Sequence, residues 1–204
     1  MSASTPEVVT GPVANAATAA LLPADLRQAI RRLDWRFLLP NPALGRVACL
    51  GRVQGSLAEA LRATGAAPTF IAGPLTDAHR AAFDTVVAVN PAPESLAVAA
   101  DLLRPGGWLY AEFTGGAARA GRMARQVRGM GFGEVQRHWH WPDFERGTRI
   151  LPLDDGGALV YALLKGWRGA TGAALAALLR GVQRAGALRW AARHVSLTAR
   201  REGP

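Results

Sequence analysis

Short apolar runs alternate with segments of helical periodicity along the middle of this chain, and glycines or prolines separate them. The apolar runs predict strands at residues 47–50, 68–72, 83–89, 108–113, 134–141 and 158–164. The amphipathic segments predict helices at residues 23–34, 56–63, 93–103 and 117–130. This alternation predicts an α/β domain with right-handed crossovers and helices on both faces of a parallel sheet. The last two strands are expected to form an antiparallel pair with a long connection.

The same pattern divides the chain into four parts. Residues 1–21 are rich in Ala, Thr, Ser and Pro without periodicity, which predicts a flexible tail. Residues 22–44 predict a helical cap whose aromatic side chains either pack in the core or contact a substrate. Residues 45–165 form the predicted domain, and residues 166–204 a basic helical extension.

Charge is distributed unevenly over a chain that is long enough to bury a core. Half of the 204 residues are hydrophobic, and the formal net charge is +9. Residues 1–114 carry nine basic and nine acidic side chains, whereas residues 115–204 carry fifteen and six. The positive C-terminal half would suit an anionic substrate, an acidic partner, a membrane surface or nucleic acid, although no nucleic-acid motif is present.

Cysteine usage and the N-terminus limit the class of protein. Cys49 is the single cysteine, which excludes an intramolecular disulfide and a cysteine-rich zinc site. The N-terminal residues lack the basic start and apolar core of a secretory signal, and no apolar run is long enough to cross a bilayer. We therefore expect a cytoplasmic protein.

The stretch at residues 45–55 has the pattern of a strand, a glycine loop and a helix. The apolar run at 47–50 enters a turn with Gly51 and Gly55, and the helical pattern begins at Ser56. Such units open many nucleotide-binding domains, because glycine lets a ligand approach the main chain and the helix start offers free N–H donors.

Two further segments carry a family resemblance. Residues 102–110, Leu-Leu-Arg-Pro-Gly-Gly-Trp-Leu-Tyr, resemble the turn before the fifth strand of class I S-adenosylmethionine-dependent methyltransferases. Residues 83–87, Phe-Asp-Thr-Val-Val, resemble the fourth strand of that family, and residues 47–55 fall at its glycine-rich first motif. The resemblance covers residues 45–165. It implies a Rossmann-like class I methyltransferase fold, with a mostly parallel sheet and an antiparallel C-terminal strand pair, and it implies S-adenosylmethionine as cofactor.

The first motif of the family reads acid-x-Gly-x-Gly-x-Gly, and the resemblance carries its cofactor-binding positions onto Cys49, Gly51, Val53 and Gly55. Cys49 replaces the acid, and Val53 replaces a glycine. The predicted second strand ends at Gly73 without the carboxylate that accepts the ribose hydroxyls in the family.

Spacing departs from the family pattern as well. The interval 73–82 is too short for a helix, a strand and a second helix, so the chain is predicted to lack one βα unit. Asp77 in this interval either replaces the adenine-side acid or caps a short helix. Asn90, in Asn-Pro-Ala-Pro, either borders the cofactor through its backbone or opens the next helix.

His138 and His140 are the candidate catalytic bases. In a strand they share one face, while Trp139 and Trp141 share the other, where they would line an aromatic or cationic pocket. The alternative is a solvated histidine face with tryptophans packed on a helix. Metal binding by these histidines with Asp143 or Glu145 lacks a third ligand fixed by spacing, so no metal site is predicted.

The C-terminal part predicts a basic amphipathic helix at residues 171–197, which docks on a partner, a subunit or an anionic surface, or packs back on its own domain. The leading functional hypothesis is a methyltransferase-like protein that acts on a small molecule or biosynthetic intermediate. The alternatives are a non-catalytic relative that serves as scaffold or regulatory partner of another enzyme, and an adaptor that binds membrane or nucleic acid through the basic helix.

Overall fold

The predicted domain and the end of the chain are defined in three dimensions. A computed structural model describes residues 24–53, 55–72, 75–146, 149–165 and 192–203, with the isolated positions 174, 177, 178, 181 and 187. The predicted tail at 1–21 and most of the predicted helix at 171–197 lie outside the described residues.

Helices and strands alternate through the described residues. The α-helices are α1 (Ala24–Arg31), α2 (Ser56–Ala63), α3 (Pro93–Leu102), α4 (Gly116–Gly129) and α5 (Gly156–Leu164). The strands are β1 (Val47–Gly51), β2 (Thr69–Ile71), β3 (Phe83–Val89), β4 (Leu103–Phe113), β5 (Phe132–Trp141), β6 (Arg149–Pro152) and β7 (Val195–Arg201). Two short 3-10 helices lie at Asp34–Leu38 and Asp77–His79. None of the helices in the described part of the chain is long and apolar enough to cross a membrane.

The strands form one seven-stranded sheet in the order β2-β1-β3-β4-β7-β5-β6. The pairs among β2, β1, β3 and β4 are parallel. β7 lies antiparallel between β4 and β5, and β6 is antiparallel to β5. β1 to β5 therefore run in one direction, and β6 and β7 run against it. This confirms the predicted fold class, a mostly parallel α/β sheet with antiparallel strands at its C-terminal end.

Alternate side chains of the central strands enter two core clusters, as the two-residue period of a strand requires. In β1, Ala48 and Leu50 lie in the cluster that packs on α3 and α4. Val47 and Cys49 lie in the other cluster, with α2 and the buried Trp35. Both faces of the sheet are thus covered, which explains why its strands read as continuous apolar runs.

β2 is the edge strand on one side of the sheet, and no described strand lies beyond it. Between Ile71 and Phe83 the described residues form only the 3-10 helix Asp77–His79. This agrees with the predicted lack of one βα unit.

The segments that carry the family resemblance pack against each other where β3 and β4 begin. The Asp84 carboxylate accepts a hydrogen bond from the Arg46 amide at 2.6 Å and pairs with Arg104. A Cβ at Gly107 would lie 3.0 Å from the carbonyl oxygens of Arg104 and Asp84, so a larger residue there would have to displace backbone atoms. The resemblance therefore reflects a packing requirement at the amino ends of the strands, away from the edge at which a ligand would bind.

The strand predicted at residues 158–164 is wrong, because these residues belong to helix α5. The Asp155 carboxylate caps this helix by accepting a hydrogen bond from the Ala158 amide at 3.0 Å. A short apolar run has no period that separates a buried helix from a strand. β6 pairs with β5 instead, although Arg149–Pro152 was predicted to be loop.

The helix predicted to extend to Leu197 is wrong for residues 195–197, which begin β7. Val195, Leu197 and Ala199 are fully buried, so the sheet is completed by residues beyond the predicted domain boundary at 165. The physical reason is non-local: β7 pairs with strands more than fifty residues earlier in the chain, and local periodicity does not report such pairing.

Candidate functional site

The carboxyl ends of β1, β3 and β4 meet at one edge of the sheet because these strands are parallel. β5 runs in the same direction, so the connection at residues 142–146 leaves the sheet at this edge. β7 runs the opposite way and starts there, with Val195 opposite Phe113. Ligands of open α/β sheets bind outside the carboxyl ends of the strands, which makes this edge the candidate site.

The glycine loop after β1 uses backbone conformations that favour glycine. Gly51 has φ +77°, and a Cβ there would lie 3.1 Å from the Val89 carbonyl oxygen. Gly55 has φ +60°, and a Cβ there would meet no atom within 4 Å. Gly51 thus allows β1 and β3 to approach closely, whereas Gly55 turns the chain into α2 beside open space.

Cys49 and Val53, the two departures from the family motif, point into the core. Their side chains are 1% and 3% exposed, and both lie in the cluster around Trp35. Burial raises the pKa of the Cys49 thiol to about 12, so the thiol stays neutral near pH 7. Val53 does not fill the loop with its side chain, and both residues can face a ligand only through their backbone.

A pocket of about 390 Å³, here the loop pocket, lies between the glycine loop, α2 and β2. Its lining includes Arg52, Glu59, Arg62 and Phe70. Phe70 is 41% exposed, and the Arg62 guanidinium carbon lies 5.4 Å from the centre of its ring. S-adenosylmethionine presents a carboxylate, ribose hydroxyls and a flat adenine. An arginine, a glutamate and an exposed aromatic ring are present to meet these groups, so the donor set fits the cofactor, although a carboxylate at position 49 is absent.

A second pocket of about 260 Å³, here the strand-end pocket, lies above β3 and β4 and shares Arg52 with the loop pocket. Five segments of the chain contribute polar side chains to this pocket. The sequence pattern did not indicate that these segments lie together. The polar side chains are Arg32, Arg52, Glu112, Thr114, Asp143, Glu145 and His194, and the apolar lining is Leu57, Val89 and Phe144.

A buried ion pair between Arg32 and Glu112 forms part of the lining of this pocket. Arg32 Nη2 lies 2.6 Å from Glu112 Oε2, Nη1 bonds the other oxygen, and the two side chains are 6% and 3% exposed. The Tyr110 hydroxyl donates a third hydrogen bond to Glu112 at 2.8 Å. Burial alone would lower the pKa of Arg32, but the hydrogen bonds and charge of Glu112 outweigh it and raise the pKa. Burial, then the Glu112 charge, raises the pKa of Tyr110.

Arg32 also connects the N-terminal segment to the connection after β5. Its Nε lies 3.2 Å from Glu145 Oε1, and the Ser56 hydroxyl donates to the other oxygen of Glu145. The guanidinium carbon lies 5.2 Å from the centre of the Phe144 ring. The predicted N-terminal cap therefore reaches the site through Arg32, in addition to packing Trp35 in the core.

His138 and His140 are buried, each 4% exposed, so the alternative of a solvated histidine face is wrong. Burial lowers the pKa of His138 to about 4 and of His140 to about 3, where the charge of Arg32 contributes next. His140 Nε2 lies 2.8 Å from Ser196 Oγ, a partner that β7 supplies. Neither histidine lines the strand-end pocket, and their catalytic role stays a prediction.

The tryptophans of the same strand differ in burial. Trp139 is partly buried against the core cluster of α3 and α4, and Trp141 is 49% exposed. Their role in lining a substrate pocket stays a prediction.

Asn90 joins the carboxyl ends of β3 and β4. It has φ +47°, and its Oδ1 accepts hydrogen bonds from the amide and hydroxyl of Thr114 at 2.9 and 3.0 Å. Arg119 Nη2 donates to the carbonyl oxygens of Asn90 and Pro91. The side chain of Asn90 is therefore engaged within the protein, and its cofactor contact stays a prediction.

Asp77 opens the 3-10 helix between β2 and β3 but does not cap it. Thr76 is the N-cap residue, in a capping box with His79. The Asp77 side chain is fully exposed, with Arg80 at 3.6 Å. Its interpretation as a cap is wrong, and a cofactor role stays a prediction. Gly73 lies outside the described residues.

Arg32, Glu112 and His194, three residues that line the strand-end pocket, were not predicted from the sequence. Glu112 gave a signal, because an acidic side chain in an otherwise apolar strand needs a buried partner. Arg32 and His194 gave none, since one lay in a predicted cap and the other in a predicted helix. Among the described residues, no group of three or more His, Cys, Asp or Glu side chains is arranged to hold a metal ion.

Of the comparisons with known proteins, the one with solved structures found similar proteins. No protein-family model matches the chain, and no curated protein matches it. A S-adenosylmethionine-dependent methyltransferase of Thermotoga maritima, described as a possible histamine N-methyltransferase, is 13% identical with a TM-score of 0.47, over 87% of this chain and 92% of that one. A chain in the complex of the Haloferax volcanii Trm112 methyltransferase activator with a methyltransferase is 14% identical with a TM-score of 0.47, over 87% and 91%. A Thermotoga maritima O-methyltransferase is 9% identical with a TM-score of 0.46, over 90% and 73%.

The two Thermotoga maritima structures are described as S-adenosylmethionine-dependent methyltransferases. The sheet order and the strand, glycine loop and helix unit give this chain a Rossmann-like α/β fold. At such low identities the likeness concerns the fold and not the reaction.

Proposed function

We propose that this chain is a S-adenosylmethionine-dependent methyltransferase-like protein that acts on a small molecule or biosynthetic intermediate. The observation that carries the proposal is the pair of adjoining pockets at the carboxyl ends of β1, β3 and β4, which share Arg52. A methyl transfer needs two ligands side by side, and two joined pockets meet that need.

The loop pocket is assigned to the cofactor. Arg52 would hold the carboxylate of its methionine part, Glu59 the ribose hydroxyls, and Phe70 the adenine ring. When bound, S-adenosylmethionine supplies an electrophilic methyl group on a positively charged sulfur. Because direct displacement at that carbon needs no particular side chain, the protein contributes alignment and exclusion of water.

The strand-end pocket is assigned to the methyl acceptor. Its volume of about 260 Å³ suits a small molecule better than a macromolecule. Arg32 ties the segment after α1 to β4 and to the connection after β5, so these elements close the pocket together. Closure would remove water from the acceptor and fix its orientation.

Calorimetric titration of the full chain with S-adenosylmethionine and S-adenosylhomocysteine tests this function. We expect saturable binding, and Phe70→Ala and Glu59→Gln should each weaken it about tenfold or more. Tyr161→Ala is the matched control, because Tyr161 is 72% exposed and lines neither pocket. Absence of heat and of a thermal shift at millimolar ligand would exclude the enzyme.

The second candidate is a non-catalytic protein of the same fold that serves as scaffold or regulatory partner. The neutral Cys49 thiol favours it, since no carboxylate at the end of β1 offsets the positive charge of the donor. This candidate would be supported if the chain binds neither S-adenosylmethionine nor S-adenosylhomocysteine but does bind a protein partner. We also propose a cytoplasmic location and a docking role for the basic C-terminal extension at residues 166–204, both on the sequence alone.

A further inference from the structure

His194 reaches the strand-end pocket because of the direction of β7. This strand is antiparallel to its neighbours and starts at Val195, which lies opposite Phe113 at the end of β4 and Trp139 near the end of β5. The residue before Val195 must therefore lie at the carboxyl ends of the parallel strands. The His140 amide donates to the His194 carbonyl oxygen at 2.9 Å, which fixes the backbone there.

The His194 ring lines the strand-end pocket and is half-buried. Its Nδ1 is shielded from solvent and has no hydrogen-bond partner among the described residues. The Phe144 ring meets it edge-on, with centroids 5.5 Å apart and planes at 81°. A buried, unpaired nitrogen destabilises the folded protein, and a ligand that shares a proton with it would offset that cost.

We propose that His194 is the catalytic residue that accepts the proton of the methyl acceptor, an inference that rests on the function proposed above. An acceptor with an O–H or N–H group forms a bond from its lone pair to the methyl carbon. The sulfur–carbon bond breaks, and its electron pair stays on sulfur, which becomes neutral. The acceptor is left with one proton too many, and this proton passes to the His194 ring.

The other proton-accepting groups that line the pocket are three carboxylates. Two of them are held by hydrogen bonds and ion pairs, and the third is an alternative proton acceptor that substitution can test. Glu112 is bound by Arg32 and Tyr110, and Glu145 by Arg32 and Ser56. Asp143 accepts a hydrogen bond from the Arg146 amide at 2.6 Å and is the remaining competitor. His138 and His140 do not line this pocket, although the His140 ring packs on Phe144 with centroids 4.7 Å apart.

The test is steady-state methyl transfer by the full chain, with S-adenosylmethionine and a panel of small phenols, catechols, amines and thiols. His194→Ala should lower kcat by about 10²–10⁴-fold, the range for loss of a general base. Millimolar imidazole should raise the kcat of His194→Ala at least tenfold, and it should leave the kcat of Asp143→Asn unchanged. Arg193→Gln, an exposed neighbour outside the pocket, should keep wild-type kcat.

A second readout does not depend on turnover. Diethyl pyrocarbonate acylates accessible neutral imidazole, and mass mapping should find it on His194 but not on the buried His138 and His140. The affinity of His194→Ala for S-adenosylhomocysteine should stay within about threefold of the wild type, because a proton acceptor does not hold the donor.

The outcomes separate this inference from the function on which it rests. Turnover by the wild type with kcat of His194→Ala within about threefold of it overturns the inference and leaves the function standing. A loss that imidazole does not restore, or a His194 that the reagent does not reach, also overturns it. No turnover by the wild type with any acceptor removes the function and the inference together.

Discussion

Arg32 and Glu112 form a two-pronged ion pair in the interior of the protein, although 80 positions separate them in the chain. Removal of one partner leaves a buried charge without compensation, which costs about 3–5 kcal/mol. We expect Glu112→Gln or Arg32→Met to lower the free energy of unfolding by about that amount in urea titrations. The double variant should lose less than the sum of the two single losses, because it leaves no buried charge without a partner.

The pair between Arg200 and Glu134 is the matched control, with side chains 50% and 48% exposed. Arg200→Gln should cost less than about 1 kcal/mol, because water screens an exposed pair. Equal losses at the two pairs would show that the Arg32–Glu112 pair is not buried in solution.

The buried histidines predict an acid-sensitive fold. Burial holds the pKa of His138 at about 4 and of His140 at about 3, below the ordinary 6.5. Between pH 6.5 and the lowered pKa of each histidine, the unfolded chain therefore binds more protons than the folded chain. The contribution of the neutral histidines to the free energy of unfolding is complete above about pH 6.5, and it is lost as the pH falls towards 4 for His138 and 3 for His140. Each histidine should add a slope of up to about 1.4 kcal/mol per pH unit.

Urea titrations at several pH values between 7 and 4 measure that slope. His138→Gln and His140→Gln should each reduce it, whatever their effect on stability at pH 7. A slope that neither substitution changes would mean that the histidines are already exposed or protonated in the folded state.

The glycine loop predicts a graded response to added side chains. Gly51→Ala combines a strained positive φ with a contact 3.1 Å from the Val89 carbonyl oxygen, and should destabilise the fold by about 1–3 kcal/mol. Gly55→Ala carries the φ strain alone, and should cost about 1 kcal/mol. Gly129→Ala in α4, with neither burden, should be neutral or stabilising by up to about 1 kcal/mol. Thermal melts of the three variants give the order, and a costlier Gly129→Ala would contradict it.

Two leucines distinguish the strand β7 from the predicted helical extension. Leu197 is fully buried between β4 and β5, whereas Leu178 is 62% exposed. Leu197→Ala should cost about 2–5 kcal/mol of unfolding free energy, and Leu178→Ala less than about 0.5. Similar effects at both positions would contradict the insertion of β7 into the sheet.

The local pattern of apolar and polar residues was sufficient to predict the elements of the parallel half of the sheet. The prediction of β3 at residues 83–89 matches its bounds, and the helix at 56–63 does too. The strand is buried on both faces, the helix buries one apolar stripe, and glycines or prolines end such elements. Residues close together in the chain are therefore enough to specify them. The glycine loop at the end of β1 was predicted for the same reason.

The sequence by itself thus determined the fold class, the glycine loop and the lack of one βα unit. Only the tertiary structure decided that residues 195–201 complete the sheet, that Cys49 and Val53 turn inwards, and that Arg32, Glu112 and His194 meet in one pocket. The reason is that these relationships join residues far apart in the chain. Periodicity reports which face of an element is apolar, but the pairing of distant strands determines which side chains lie together at the carboxyl ends of the sheet.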